Sequence, residues 1–299
     1  IVNTTGERVF YDSYLDHLRT ADLPPAQVTM ENNDIMVTAT GTWSTVTFWE
    51  TVVMSEINEA YFEGMVHAEG IDVFELYNEG ERRLNEKIAI LQENPDIKIA
   101  DFGTRRHFSH RWQRYVLERL LAECPDNVIG TSNVALAQAY NIKPIGTFAH
   151  EMPMVFAGLA DSRGQDVRAA HNEFLNVWYA RYGEDLSTAL TDTFTTDFFF
   201  SDFTPGQAAT WRALRHDSGD PIEFGERAIA FYEDLGIDPK EKTIVFSDGL
   251  NIADIVKLHD HFQDRVNITF GWGTSLTNDL GVKALNIVMK ATHANGTET

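Results

Sequence analysis

Cysteine is almost missing from this sequence: Cys124 stands alone among 299 residues. That excludes an internal disulfide framework and any cysteine-clustered metal site, and it fits a reducing cytoplasm. No run of about 18 apolar residues is present, so no membrane span is expected. The first residues also lack the basic-then-apolar pattern of a signal peptide. Positive charge is scarce: 24 Lys and Arg stand against 45 Asp and Glu, a formal net charge of −21. A general surface for nucleic acid or anionic membrane is therefore disfavoured. No fixed-period repeat occurs, which excludes a solenoid, and no Walker A sequence is found.

What remains is ample core material, with 43% hydrophobic residues of which the aromatics make up 11% of the chain. A chain of this length suits one large barrel or two domains. Val9, Phe10, Tyr14, Leu15 and Leu18 recur at helical spacing, so a short amphipathic helix is expected over 4–20, ended by Pro24-Pro25. Val- and Thr-rich stretches on either side of Glu31-Asn32-Asn33-Asp34 predict a hairpin. Trp49, Val52, Val53, Ile57 and Tyr61 form a stripe on a helix over 47–63, which reads as core. The mixed charges of 73–94 read as a helix with a solvated outer face.

After Pro95 the pattern changes. Short apolar runs at 97–102, 128–132, 144–149, 188–194, 211–215, 243–246, 268–270 and 284–289 each close on small or polar residues and lead into helical sequence. Eight such units predict an α/β fold, an irregular (β/α)-barrel over 96–299 behind a smaller α+β module over 1–95.

In such a fold chemistry gathers where the strands end, because the loops that follow converge there. The ends read Asp101-Phe-Gly-Thr-Arg-Arg106, Gly130-Thr-Ser-Asn133, Gly146-Thr-Phe-Ala-His-Glu151, Arg215-His-Asp-Ser-Gly-Asp-Pro221, Ser247-Asp-Gly249 and Gly271-Trp-Gly-Thr-Ser275. Arg105, Arg106 and Arg215 offer planar forks for carboxylate or phosphate in an otherwise acidic chain. Gly271-x-Gly273-Thr274 can present backbone N–H groups to a phosphate. Asp217 and Asp248, taken singly, read as helix caps; beside the arginines they suit ribose hydroxyls or hydrated Mg²⁺. Phe102 offers a face for a flat ring or a core contact. A lone histidine such as His150 is more often a packing or capping residue, yet here it stands among these groups and can accept a phosphoryl group. Glu151 either assists it or opens a helix. The residues by themselves imply a site for an anionic, phosphorylated, ribose-bearing substrate, and they do not name the reaction.

These strand ends, together with 283–290 and the β-rich segment over 27–63, resemble in order those of the nicotinate phosphoribosyltransferases, type II phosphoribosyltransferases of NAD salvage. The apolar run ending in paired acids that marks the type I enzymes is absent. The resemblance implies transfer of phosphoribosyl from phosphoribosyl pyrophosphate to nicotinate, with ATP hydrolysis coupled through a phosphohistidine at His150 and with Mg²⁺ as cofactor. It implies that Arg215, with Ser132 and Asn133, receives the pyridine carboxylate and that Phe102 stacks on the ring. By the same resemblance Arg105 lies near substrate anions, Asp217 and Asp248 are ribose or metal-side carboxylates, and Gly249, Gly271, Gly273 and Thr274 cradle the 5′-phosphate. No direct metal ligand is assigned.

A carboxylate in place of Asn133 would favour nicotinamide, so its absence favours the acid. Family chains begin before the point matching Ile1, with an Asp-x-Tyr-type motif whose tyrosine stacks on a partner subunit's pyridine, and continue past Thr299. The resemblance therefore implies a cytoplasmic homodimer with composite active sites. The alternatives are a truncated, non-catalytic chain that binds nucleotide or a partner subunit, and a nicotinamide-using relative.

Overall fold

The computed structural model describes residues 10–32 and 34–299. Of the helix expected over 4–20, the described part runs Asp12–Thr20 and buries none of its residues; residues 4–9 lie outside the described residues. Strands β1 (Ala26–Glu31) and β2 (Asp34–Ala39) pair antiparallel in register Val28↔Val37. Asn33, which falls between them in the sequence, also lies outside the described residues. Val28, Met30 and Ile35 stay exposed on this hairpin.

A short helix, Trp43–Val46, precedes the long one, Trp49–Glu69. Gly70 stops the latter in the left-handed region, φ 62°, with its N–H on the Val66 carbonyl, a conformation that costs glycine little. The Asp72 side chain then accepts from the Phe74 and Glu75 amides and starts Val73–Glu93. That charged helix is more than an outer face, since Leu76, Leu84, Ile88 and Leu91 on one side of it are buried.

Six parallel strands follow: β3 (Ile99–Asp101), β4 (Val128–Thr131), β5 (Thr188–Leu190), β6 (Ala213–His216), β7 (Thr243–Phe246) and β8 (Asn267–Trp272). Their spatial order is β4-β3-β8-β7-β6-β5. The other two anticipated runs behave differently. Segment 144–149 adds a single parallel bridge, Pro144 to Thr131, before turning away. Segment 284–289 has no regular structure. A short apolar run cannot be told from a strand by periodicity alone.

Helix caps fix the return connections. Ser109, Asn133, Asp220 and Asn251 each accept backbone amides at a helix start, with Pro221 at the first turn of its helix. Trp211, Trp272, Phe246 and Phe270 are fully buried in a core that also takes in Phe62 and Leu84, so packing is continuous across residue 95. Each such ring contributes about 2–3 kcal/mol by leaving water. All six strands of the sheet run the same way, so their carboxyl ends share one edge, where open α/β sheets bind ligands. Among the described residues no helix is long and apolar enough to cross a membrane.

Candidate active site

A cleft of about 420 Å³ lies at that edge, within the size range of small-molecule sites. Phe102, Arg105 and Arg106 reach it from the end of β3, Ser132 from β4, Thr147 and His150 from the segment after Pro144, and Arg215 and Asp217 from β6. Glu50 and Thr51, from the helix Trp49–Glu69, and Lys290 complete the wall.

The loop carrying Phe102 and the two arginines is anchored from below by Asp101. Its buried carboxylate accepts from Gly103 N (2.8 Å), Gln113 Nε2 (2.8 Å) and Thr131 Oγ1 (2.7 Å). Burial pushes the Asp101 carboxyl up, and these three donors pull against it. Gly271 makes room above: a Cβ there would stand 2.5 Å from two Phe102 ring carbons. The Arg215 guanidinium lies 5.5 Å from the centre of that ring, within cation–π range.

Arg215 is held on every arm. Nε donates to Ser247 Oγ (2.8 Å), Nη1 to Thr147 Oγ1 (2.9 Å) and Nη2 to Asp217 Oδ1 (2.8 Å). His150 is fixed at both nitrogens. Nδ1 lies 3.1 Å from Thr193 Oγ1, and Nε2 lies 3.3 Å from Asp217 Oδ2 and 3.8 Å from Asp192 Oδ1. Burial works to raise the Asp217 carboxyl, but the His150 bond, the Arg215 charge and the Ser247 hydroxyl outweigh it and hold Asp217 well below the usual carboxylate range.

Charge is unevenly compensated around the cleft. Arg105 pairs with Glu50, and Arg215 with Asp217. Glu151, in the first turn of the helix Glu151–Asp161, accepts the Trp43 indole N–H at 2.5 Å and so ties that helix to the N-terminal part of the chain. Arg106 and Lys290 form no ion pair among the described residues. Burial, with Arg105 beside it, pulls the Arg106 guanidinium below its ordinary value, and the attraction of a bound anion would oppose both effects.

Of the residues singled out in the sequence, the structure brings Phe102, Arg105, Arg106, Ser132, His150, Glu151, Arg215 and Asp217 into this one cleft. Asn133 sits behind it: Oδ1 caps the next helix at Leu136 N (3.1 Å) and Nδ2 donates to Gln113 Oε1 (3.1 Å). Asp248 is exposed beyond β7, and burial of part of its surroundings, then Asp217, raises its carboxyl. Gly249 has φ 56°, Gly271 seats Phe102, and Gly273 precedes the four-residue helix that Thr274 opens. None of these glycines, nor Thr274, is among the residues lining the cleft. Sequence reasoning passed over Asp192 and Thr193, although Thr191-Asp192-Thr193 closes its strand on polar residues as the other ends do.

Fold and site together define an α/β protein with a small-molecule cleft for an anion at the carboxyl edge of a parallel sheet. The Nicotinate phosphoribosyltransferase (NAPRTase) family profile matches residues 97–299, and the chain belongs to that family. It is 43% identical over 256 residues to a nicotinate phosphoribosyltransferase of Acinetobacter baumannii, covering 83% of this chain and 61% of that protein. It is 42% identical over 279 residues to one of Desulforapulum autotrophicum, covering 93% and 69%. The crystal structure of nicotinate phosphoribosyltransferase from Porphyromonas gingivalis superposes with a TM-score of 0.86 at 32% identity, over 95% of this chain and 71% of that one. The Vibrio cholerae structure also gives 0.86 at 32%, over 96% and 70%. The chain thus spans about 60–70% of the length of these relatives.

Proposed function

We propose that this chain carries the catalytic cleft of a nicotinate phosphoribosyltransferase of NAD biosynthesis, acting in the cytoplasm as a homodimer, with ATP hydrolysis coupled through phosphorylation of His150. The observation that carries the reading is the constellation on one wall: His150 fixed between Thr193 and Asp217, with Arg215 locked over Phe102. In the coupling step an imidazole nitrogen attacks the ATP γ-phosphorus. A nitrogen–phosphorus bond forms, the bond to the bridging oxygen breaks, and ADP leaves with that electron pair. Asp217 and Thr193 orient the ring for this, and Asp217 stabilises the cation that develops on it.

In the transfer step the nicotinate ring nitrogen attacks C1 of the ribose while the bond to pyrophosphate breaks, the electrons departing with pyrophosphate. Phe102 offers the ring a flat surface, and Arg215 and Arg106 match the pyridine carboxylate and the leaving phosphates. Arg106 and Lys290, without ion-pair partners among the described residues, favour nicotinate over nicotinamide. Because the Asn133 amide is committed to the helix cap and to Gln113, carboxylate recognition falls to the arginines.

Asp192 has a buried Oδ1 without a hydrogen-bond partner among the described residues, and it neighbours Asp217 and His150. This hard-oxygen set fits Mg²⁺, which, held by Asp192 and Asp217 with Asp248 nearby, would neutralise phosphate charge.

The test mixes the full-length protein with nicotinate, phosphoribosyl pyrophosphate and Mg²⁺, with and without ATP, and follows the mononucleotide. His150→Ala is expected to fall to the ATP-free rate. Undiminished ATP stimulation in that variant would remove the phosphohistidine assignment, and calorimetry of the 299-residue chain with phosphoribosyl pyrophosphate separates binding from turnover.

A further inference from the structure

A second histidine–carboxylate cluster lies outside the cleft. The helix Trp49–Glu69 places Ser55, Glu56 and Glu59 on one face, at spacings of three and four residues. Against it stand His107, in the segment after Arg105 and Arg106, and His110, which opens the helix His110–Glu123. The two imidazoles lie with ring centres 4.4 Å apart. Both Nε2 atoms point to the same place: His107 Nε2 is 3.3 Å and His110 Nε2 3.4 Å from Ser55 Oγ.

Glu59 Oε2 lies 4.0 Å from His107 Nε2 and 3.8 Å from His110 Nε2. Glu56 Oε1 lies 3.4 Å from His110 Nε2. Ligand atoms about 2.1 Å from a tetrahedral ion stand about 3.4 Å apart; the Glu56–His110 separation matches that spacing, and the two Glu59 contacts have to close by only about 0.4–0.6 Å to reach it. His107 is completely buried, and among the described residues its Nδ1 makes no well-formed hydrogen bond, with the Gln113 side chain beside the ring. A buried imidazole is costly unless its nitrogens are used. Its Nε2 is aimed at this cluster.

Among the described residues Glu56 and Glu59 form ion pairs only with these histidines, with no Lys or Arg to neutralise them. Two imidazole nitrogens plus carboxylate, with acid in excess, match a divalent transition metal of the zinc class better than any anion.

We propose that His107, His110 and Glu59, with Glu56 or water completing the shell, form a zinc-type metal site that clasps the helix Trp49–Glu69 to the segment leaving β3. The site is structural in effect. One side of the clasp carries Glu50 and Thr51, the other Arg105 and Arg106, so occupancy locks two walls of the cleft together.

The test strips the protein with a chelator and titrates it with Zn²⁺ in competition with a chromophoric chelator, then with Co²⁺ for its visible spectrum. About one zinc per chain is expected, with a rise in Tm of about 3–6 °C at saturation. His110→Ala and Glu59→Gln, both at least partly exposed positions, should weaken zinc by at least about 100-fold, the upper end of what even an outer-shell partner costs, and abolish the Tm rise. His150→Ala should keep it, since the cleft offers a rival cluster, His150 with Asp192 and Asp217. The proposal is overturned if parent protein binds no zinc, if His110→Ala and Glu59→Gln bind it as parent does, or if binding disappears only with His150→Ala.

Discussion

His150 with Asp217 and Asp192, and His107 and His110 with Glu59, use the same side-chain chemistry in opposite surroundings. In the cleft the acid is already engaged: Asp217 meets Arg215, Ser247 and His150 at once, and Arg106 and Lys290 stand by without ion-pair partners among the described residues. At the clasp the acids meet imidazoles and one backbone amide, His110 N on Glu59 Oε2 at 3.2 Å, and no fixed cation among the described residues. Substrate anions, with the Mg²⁺ that accompanies them, complete the first arrangement, and a metal cation alone completes the second. What a histidine–carboxylate pair does is therefore decided less by the pair than by the fixed charges one shell further out.

The sharpest way to break the comparison is to neutralise one acid in each cluster. Asp217→Asn frees the Nη2 arm of Arg215 and releases His150 from its orienting partner, so kcat/KM of the full-length protein should fall by at least about 100-fold, the cost of misplacing reacting groups. Glu59→Gln should leave kcat/KM of the metal-free protein within about twofold while losing zinc. Equal losses of activity in both variants would mean that the clusters are one functional unit.

The strand ends that form the cleft were legible in the sequence because each pairs an apolar run with a polar, small-residue exit, a pattern that survives without knowledge of packing. The two runs that do not become sheet strands were not distinguishable. Pro144 lacks an N–H for a ladder, and 284–289, although apolar, lies along the cleft through Val288 and Met289 without joining the sheet. Asn133 stands out by its place beside Ser132, whereas Ser-Asn before Val-Ala-Leu-Ala is also a helix start, and the cap is what the fold uses. Pairings such as Glu50 with Arg105, or Glu151 with Trp43, join residues 55 and 108 positions apart. No spacing rule reaches across such a distance. Asp192 and Thr193 carried the right signal and lacked only an arginine or glycine to draw attention.

A smaller effect sharpens the same contrast by acting on one site alone. In Gly271→Ala the new methyl group would overlap the Phe102 ring, since a Cβ there stands 2.5 Å from two of its carbons. The expected cost is about 1–3 kcal/mol in urea denaturation at unchanged m-value, with weaker binding of nicotinate and undisturbed zinc binding. Full stability in this variant would show that Phe102 moves freely, and ring stacking would then lose its support.

The smallest effect uses a third pair as a control. His171 Nδ1 lies 2.7 Å from Asp202 Oδ2, and Asn172 and Arg168 also bond that carboxylate. Burial pulls His171 below the ordinary imidazole value even though Asp202 pulls the other way. The unfolded chain, with an ordinary imidazole near 6.5, therefore binds more protons than the folded one below that pH. The stability that neutral His171 confers is complete above about pH 6.5 and declines as pH falls toward its lower folded value. The urea midpoint of the parent should thus drop between pH 7.5 and 5.5, and His171→Asn should flatten part of that slope without touching zinc binding or ATP coupling. An unaltered slope would mean that Asp202 prevails over burial, placing His171 with the charged imidazoles instead of the neutral ones.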